Sequence, residues 1–308
     1  MRGPPVKEIP SGIIIVNKPA DITSARVVSL VKRRTRVRKA GHAGTLDPFA
    51  TGVMLCLVNK ATRLAGFFLR GEKTYDATMQ LGVETDTQDF TGKVIGSCEV
   101  PEGAFADEDI LRAIKNFEGE GFQEPPSFSA VKHQGTPLYR LARKGVFVKK
   151  PARRIFISSL QVLDIDLPYV RFEVTCSGGT YVRTLCADIG RELGCGGHLV
   201  SLTRTMTGGF GLDRAAEPDD LEPLDSGGVD RAWFVPMEEA LPGIPKYRAP
   251  AFIAEKVAVG GRLPVADLAG APEVGPDGHM QIVDREGRLL AVVQRAGDIY
   301  RYCCVFAG

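Results

Sequence analysis

Residues 41–52 spell GHAGTLDPFATG, with three glycines, two threonines and a proline in a dozen positions. Such a composition predicts a loop of special backbone geometry. It carries one carboxylate, Asp47, and one imidazole, His42. A phosphate-binding P-loop is excluded because no Gly-Lys-Ser/Thr follows, and the GxGxxG dinucleotide fingerprint fails as well. An aspartate before a proline is usually a turn-former that bonds its own backbone, and a loop histidine is usually structural. Spacing alone therefore leaves a catalytic Asp47 and a turn-forming Asp47 both open.

The segment just upstream is densely basic, with Lys32, Arg33, Arg34, Arg36, Arg38 and Lys39 in eight positions. Charge is segregated along the whole 308-residue chain, although its formal net value is only +2. Residues 1–60 hold eleven Lys or Arg against three Asp or Glu, and residues 84–127 reverse this, three against eleven. Residues 128–160 hold eight basic residues and no acidic one: Lys132, Arg140, Arg143, Lys144, Lys149, Lys150, Arg153 and Arg154. Residues 215–240 are again acidic, eight against one. Two basic blocks suggest a polyanionic partner, against the alternative of two solvated faces.

The apolar share of 44% and the charged share of 25% are those of a globular protein and exclude a disordered chain, a collagen or a coiled-coil rod. The length predicts about two domains. The longest aliphatic run, Ile13 to Val16, is far short of the ~20 residues of a membrane helix. The first residues lack an apolar signal-peptide core, and seven cysteines without a CxxC argue against disulfides or a zinc knuckle. These features predict a cytoplasmic protein without membrane association.

Periodicity places strands at Gly12–Asn17, Val53–Val58 and Tyr75–Leu81, and a helix from Thr23 or Ser24 to Arg34. Short helices are expected at Ala61–Leu69 and Asp107–Phe117. Residues 123–151, rich in Gly, Pro and basic residues, read as a long excursion with a short helix near Leu138–Lys144. Two strands, Ile155–Leu167 and Val170–Cys176, meet at Pro168. A helix over Thr180–Leu193, closed by Gly194, precedes a strand at His198–Thr205. Pro218–Gly243 reads as a final helix or two plus a linker. Beyond Lys246 come a helix at Ala251–Val259 and strands at Met280–Val283, Leu289–Gln294 and Ile299–Phe306, with a turn at Arg285-Glu286-Gly287. Strands and helices mix without βαβ alternation, which predicts an α+β fold: a mixed sheet with a small β-rich appendage.

A second informative stretch is Cys176–Leu202, where Ser177-Gly178-Gly179-Thr180 leads into a helix with Tyr181 and Arg183 in its first turn. A cation there opposes the helix dipole and invites a compensating carboxylate, for which Asp47 is one candidate. An arginine within ~4–6 Å is expected to lower a carboxylate pKa by about 1–3 units and keep it anionic. Such a carboxylate serves as nucleophile or base.

These residues together resemble the TruB family of pseudouridine synthases. GHAGTLDPFATG is similar to the family's signature loop, and Asn17-Lys18-Pro19 with Thr23-Ser24 to its first motif. Lys73-Thr74-Tyr75, Leu81-Gly82 and Thr85-Asp86-Thr87 resemble the tyrosine motif. Pro125-Pro126, Ser129-Ala130-Val131-Lys132 and Gly135 resemble the RNA-gripping insertion. Gly179-Thr180-Tyr181-Val182-Arg183 and Leu202-Thr203-Arg204 resemble the last two motifs. The matches cover most of residues 11–210 in order. Asp21 departs from a common glycine, Ala43 from a frequent threonine and Met54 from a usual aliphatic residue, and none of the three removes a chemical group.

The resemblance implies the pseudouridine synthase fold, an antiparallel-rich mixed sheet with flanking helices. It implies a catalytic domain over 1–243 with the insertion at about 123–151, and a PUA-like RNA-binding domain over 244–308. It implies a cofactor-free, metal-free isomerisation of uridine 55 in the tRNA T-loop. Asp47 matches the catalytic aspartate, Arg183 its partner, and Tyr75 the aromatic that stacks on the base. Tyr181 and Leu202 match pocket-lining residues, and His42 the residue that fills the vacated position in the RNA. Base chemistry of this kind requires a flipped nucleotide. Lys32, Arg33, Arg34, Arg36, Arg38, Lys39, Lys132, Arg153 and Arg154 are then expected on the backbone of the T-arm. The expectation is a monomer with no obligate protein partner. The alternatives are a catalytically silent tRNA-binding protein or chaperone, and a guide-RNA-dependent relative. The intact Asp47, Tyr75 and Arg183 speak against the first. The absence of long Lys-rich tails speaks against the second.

Overall fold

The computed structural model describes residues 10–224, 231–275 and 278–306. The first residues, on which the signal-peptide reading rests, lie outside them. The chain runs β1 (Gly12–Lys18), α1 (Ser24–Thr35), β2 (Ala40–His42), β3 (Thr51–Val58), α2 (Ala65–Arg70), β4 (Lys73–Leu81), β5 (Val83–Thr85), β6 (Val94–Ser97), α3 (Asp107–Lys115) and β7 (Gly119–Gln123). The insertion holds β8 (Lys132–His133), β9 (Thr136–Pro137) and α4 (Leu138–Ala142). Then follow β10 (Arg153–Asp166), β11 (Tyr169–Cys176), α5 (Val182–Glu192), β12 (Gly197–Thr207), β13 (Phe210–Gly211) and β14 (Phe234–Pro236). The last part comprises β15 (Lys246–Arg248), α6 (Ala251–Ala258), β16 (Leu263–Pro264), β17 (His279–Val283), β18 (Leu289–Ala296) and β19 (Ile299–Val305).

The main sheet runs β14-β1-β3-β12-β4-β11-β10-β7, with β2 added on β3 and β13 on β12. Its pairs are antiparallel except β3 with β12, which pair in parallel where Thr203 faces Thr51 and Arg204 faces Gly52. β1 and β3 are buried on both faces, which accounts for their unbroken apolar runs. β4 alternates strictly, with Lys73, Tyr75, Ala77, Met79 and Leu81 inward. α1 forms because Thr23 accepts a hydrogen bond from the Arg26 amide at its start and Val27 and Val31 recur on one face. Its basic residues gather in the last turn, where the helix dipole favours them.

Three expectations are corrected. The stretch 218–243 contains no α-helix among its described residues; residues 225–230 lie outside them. Pro218 and Pro223 break helical hydrogen bonding, and the segment instead wraps α1, with Leu221 and Leu224 packed in one cluster with Val27, Val31 and Val37. The loop 41–52 is bounded by strands that take its first two and last two residues. The helix expected from Thr180 begins at Val182, with Tyr181 in extended conformation at its cap.

A second sheet, β15-β17-β18-β19-β16, starts after Gly243. It is not independent of the first. Val283, Leu289, Val292, Cys304 and Phe306 share one hydrophobic cluster with Ile13, Leu55, Leu57 and Phe68. The buried Gln281 amide donates to the carbonyls of Leu241 and Ile244 at 2.9 and 2.7 Å, fixing the connection.

Candidate active site

Asp47 stands on a loop that is pinned on both sides. Ahead of it, the Ser24 hydroxyl accepts from the Leu46 amide at 2.9 Å and donates to the Leu46 carbonyl at 3.0 Å. Behind it, the buried Lys18 ammonium donates to the carbonyls of Pro48 and Ala50 at 2.8 and 2.7 Å. Burial brings Lys18 down to about 8, with Asp21 and Asp47 pulling it back up. Asp21 itself adopts φ 63°, the left-handed region that favours glycine. The turn is thus kept although its common glycine is absent.

The Arg183 guanidinium closes the site. Its Nε lies 2.8 Å from Asp47 Oδ2, and its Nη1 lies 3.3 Å from Asp89 Oδ2. Nη1 also donates to the Thr87 carbonyl at 2.7 Å and Nη2 to the Phe128 carbonyl at 3.0 Å. Arg183 is buried, while Asp47 keeps 33% of its side chain exposed to the cleft. The dipole argument therefore identified a true partner. Burial pushes the Asp47 pKa up more strongly than Arg183, as expected, pulls it down, and Asp89 adds to the upward push, so the net direction is upward.

A cleft of about 980 Å³ surrounds the pair. His42, Asp47, Tyr75, Tyr181, Arg183 and Leu202 all line it. Tyr75 and Leu202 come from the neighbouring strands β4 and β12, where Leu202 pairs with Ala77 and Arg204 with Tyr75. Burial and the nearby Arg204 hold His42 below its usual pKa, which leaves it a neutral ring. Burial pushes the Tyr75 phenol up, against the pull of Arg204.

The expected RNA-backbone residues stand elsewhere. Lys32, Arg33, Arg34, Arg36, Arg38 and Lys39 are exposed around the far end of α1, whose first residues line the cleft. Arg34 is paired with Asp219 of the acidic segment. Lys132, Arg153 and Arg154 are exposed, and Arg154 pairs with Glu120. None of these nine lines the cleft; from the insertion, Phe128, Ser129, Ala130, Tyr139 and Arg143 do. Sequence reasoning assigned no role to Asp89, Lys18, Ser24 or Arg204. Lys18, Ser24 and Arg204 lay inside quoted motifs, whereas Asp89 had no local signal beyond its place behind Thr85-Asp86-Thr87.

The sequence model described as TruB family pseudouridylate synthase (N terminal domain) matches residues 32–182, and that described as tRNA pseudouridylate synthase B C-terminal domain matches 183–241. A tRNA pseudouridine synthase B of Syntrophobacter fumaroxidans is 42% identical over 295 residues, covering 92% of each chain. The chain belongs to the TruB family. A second TruB relative, the tRNA pseudouridine synthase B of Burkholderia pseudomallei, is 39% identical and covers 94% of each chain. The TruB chain also shares its fold with a solved Cbf5-Nop10-Gar1 complex (TM-score 0.72, 26% identity, 99% of this chain and 92% of that one). A similar likeness holds for an H/ACA RNP bound to a substrate RNA containing 2'-deoxyuridine (TM-score 0.71, 25% identity, 99% and 91%). The pseudouridine synthase fold is therefore present.

Proposed function

We propose that the Asp47–Arg183 cleft isomerises the uridine at position 55 of the tRNA T-loop. That the chain is a tRNA pseudouridine synthase, an isomerase converting tRNA uridine to pseudouridine, follows from its family and from relatives at 42% and 39% identity. The observation that carries the residue assignment is the 2.8 Å ion pair between a part-exposed Asp47 and a buried Arg183. In this reading Asp47 acts on the everted nucleotide, Arg183 orients it, and Tyr75 packs on the base. Tyr181 and Leu202 wall the pocket, and neutral His42 fills the gap left in the RNA. The exposed basic residues of the α1 end and of the insertion grip the phosphate backbone.

The same proposal places the enzyme in the cytoplasm as a monomer that needs neither cofactor nor partner protein. No described helix is long and apolar enough to cross a membrane. All seven cysteines are free, which suits a reducing compartment. It also divides the chain into a catalytic domain over 1–243, with an RNA-gripping insertion at about 123–151, and a PUA-like RNA-binding domain over 244–308. The change of sheet after Gly243 supports that boundary.

Tritium release from tRNA labelled at uracil C5, with mapping of the modified position, tests the activity. Asp47→Asn is expected to abolish release while tRNA binding persists. Turnover near wild type in that variant would reject the role of Asp47.

A further inference from the structure

The floor of the cleft holds positive charge that the ion pair does not use. Arg204 is fully buried. Its Nε donates to the Val53 carbonyl at 2.7 Å and its Nη2 to the Gly44 carbonyl at 3.3 Å. Lys73, also buried, donates to the carbonyls of Phe68, Leu69 and Gly71. Among the described residues no carboxylate pairs with either within 4.0 Å. A buried cation facing only dipoles is costly, and arginine cannot relieve that cost by losing its proton.

The position of this charge is specific. Arg204 lies directly opposite Tyr75 across the β12–β4 pair, where facing Cβ atoms stand about 4.5–5.5 Å apart. Against the upward push of burial, its charge pulls the Tyr75 phenol pKa down. Tyr75, Leu202 and Arg204 line the same cleft as Asp47. A cation near the base favours this reaction. When the N1–C1′ bond breaks, its electron pair stays on the uracil, which becomes an anion. The ring turns, C5 supplies the pair that forms the C5–C1′ bond, and C5 then loses its proton while N1 takes one up. Between the two bond events the negative charge resides on the base.

We propose that Arg204, facing Tyr75 across the strand pair, is a positioning residue that sets a permanent positive charge behind the base and stabilises the detached uracil anion. This rests on the uridine-isomerase reading of the cleft. Arg204 carries the role rather than Lys73 because burial and Arg204 itself bring Lys73 down to about 8, whereas the guanidinium stays charged at every working pH.

The test compares single-turnover rates of the full chain on tRNA with uridine or 5-fluorouridine at the target. Disappearance of the target nucleoside is followed in nuclease digests by mass spectrometry. Fluorine withdraws electrons and makes the base a better leaving anion, so it needs less help. Once the C5–C1′ bond forms, C5 has no proton to lose, and water adds across N1=C6 (hydroxyl to C6, proton to N1), which still consumes the nucleoside. Arg204→Gln is expected to slow uridine about 10²-fold, with roughly five-fold or more less slowing on 5-fluorouridine. The tRNA Kd should stay unchanged. Equal slowing on both substrates, no slowing on uridine, or a Kd increase matching the rate loss would overturn the proposal. Both rates come from one preparation, so any misfolded fraction cancels in their ratio. A wild-type chain that releases no tritium would instead sink the isomerase reading itself.

Discussion

Asp47 shares its guanidinium with a second carboxylate, and the two acids are unequal. Asp89 is buried, and its Oδ1 accepts from the Thr87 hydroxyl and from the Thr91 amide at 2.8 and 3.0 Å. Asp47 projects into the cleft. Burial raises Asp47 from its ordinary value, so on acidification an activity that needs its carboxylate is lost at a higher pH than a free aspartate would give. The acid limb of the single-turnover pH profile is the measurement. Asp89 adds to that upward push. In Asp89→Asn the limb is expected to move to lower pH, while the rate at neutral pH drops about tenfold or more because Arg183 loses one of its anchors. A limb that stays in place would separate Asp89 from Asp47. The partnership of Asp47 with Arg183 was legible because a cation at a helix start demands an anion. Asp89 was not, since an aspartate among threonines and a glutamine reads as a turn until the chain closes over it.

At the scale of elements, the site depends on how closely β3 approaches β12. Gly52 has φ 103°, and a Cβ there would lie 2.2 Å from the Arg204 carbonyl oxygen, which is backbone and cannot give way. Gly52→Ala is expected to cost more than about 2 kcal/mol and to lower the urea midpoint, because strain and a backbone clash add. Lys18→Met leaves the Pro48 and Ala50 carbonyls without their donor and is expected to reduce kcat more than tRNA binding, read by tritium release against filter binding. The elements themselves were legible where periodicity was clean: β4 from its alternation, α1 from its cap and stripe, and β17, β18 and β19 from their apolar runs. The 218–243 stretch was not. It reads as a final helix or two plus a linker, but its prolines and its leucines at 221 and 224 serve a wrapping segment whose partner, α1, lies almost two hundred residues away.

Across the whole molecule, charge is partly settled internally. The acidic segment meets the first basic block through Arg34–Asp219 and meets β1 through Asn17–Glu217. Lys32, Arg33, Arg38 and Lys39 stand exposed at the end of α1, and tRNA affinity is expected to fall steeply from low to moderate salt in filter binding. Replacing Arg153 and Arg154 by serine should reduce the slope of log Kd against log salt by about 1–2 if both contact phosphate. The shared cluster joining Ile13 and Leu55 to Val292 and Phe306 gives one cooperative unit, so calorimetry is expected to show a single unfolding transition. It also has a kinetic consequence. Ile13 and Phe306 meet in one core although nearly the whole chain separates them, and β1 must find β14 over more than two hundred residues. Loops of that span close late, which makes refolding from denaturant slow and leaves the unsealed first strands prone to aggregate in the interval.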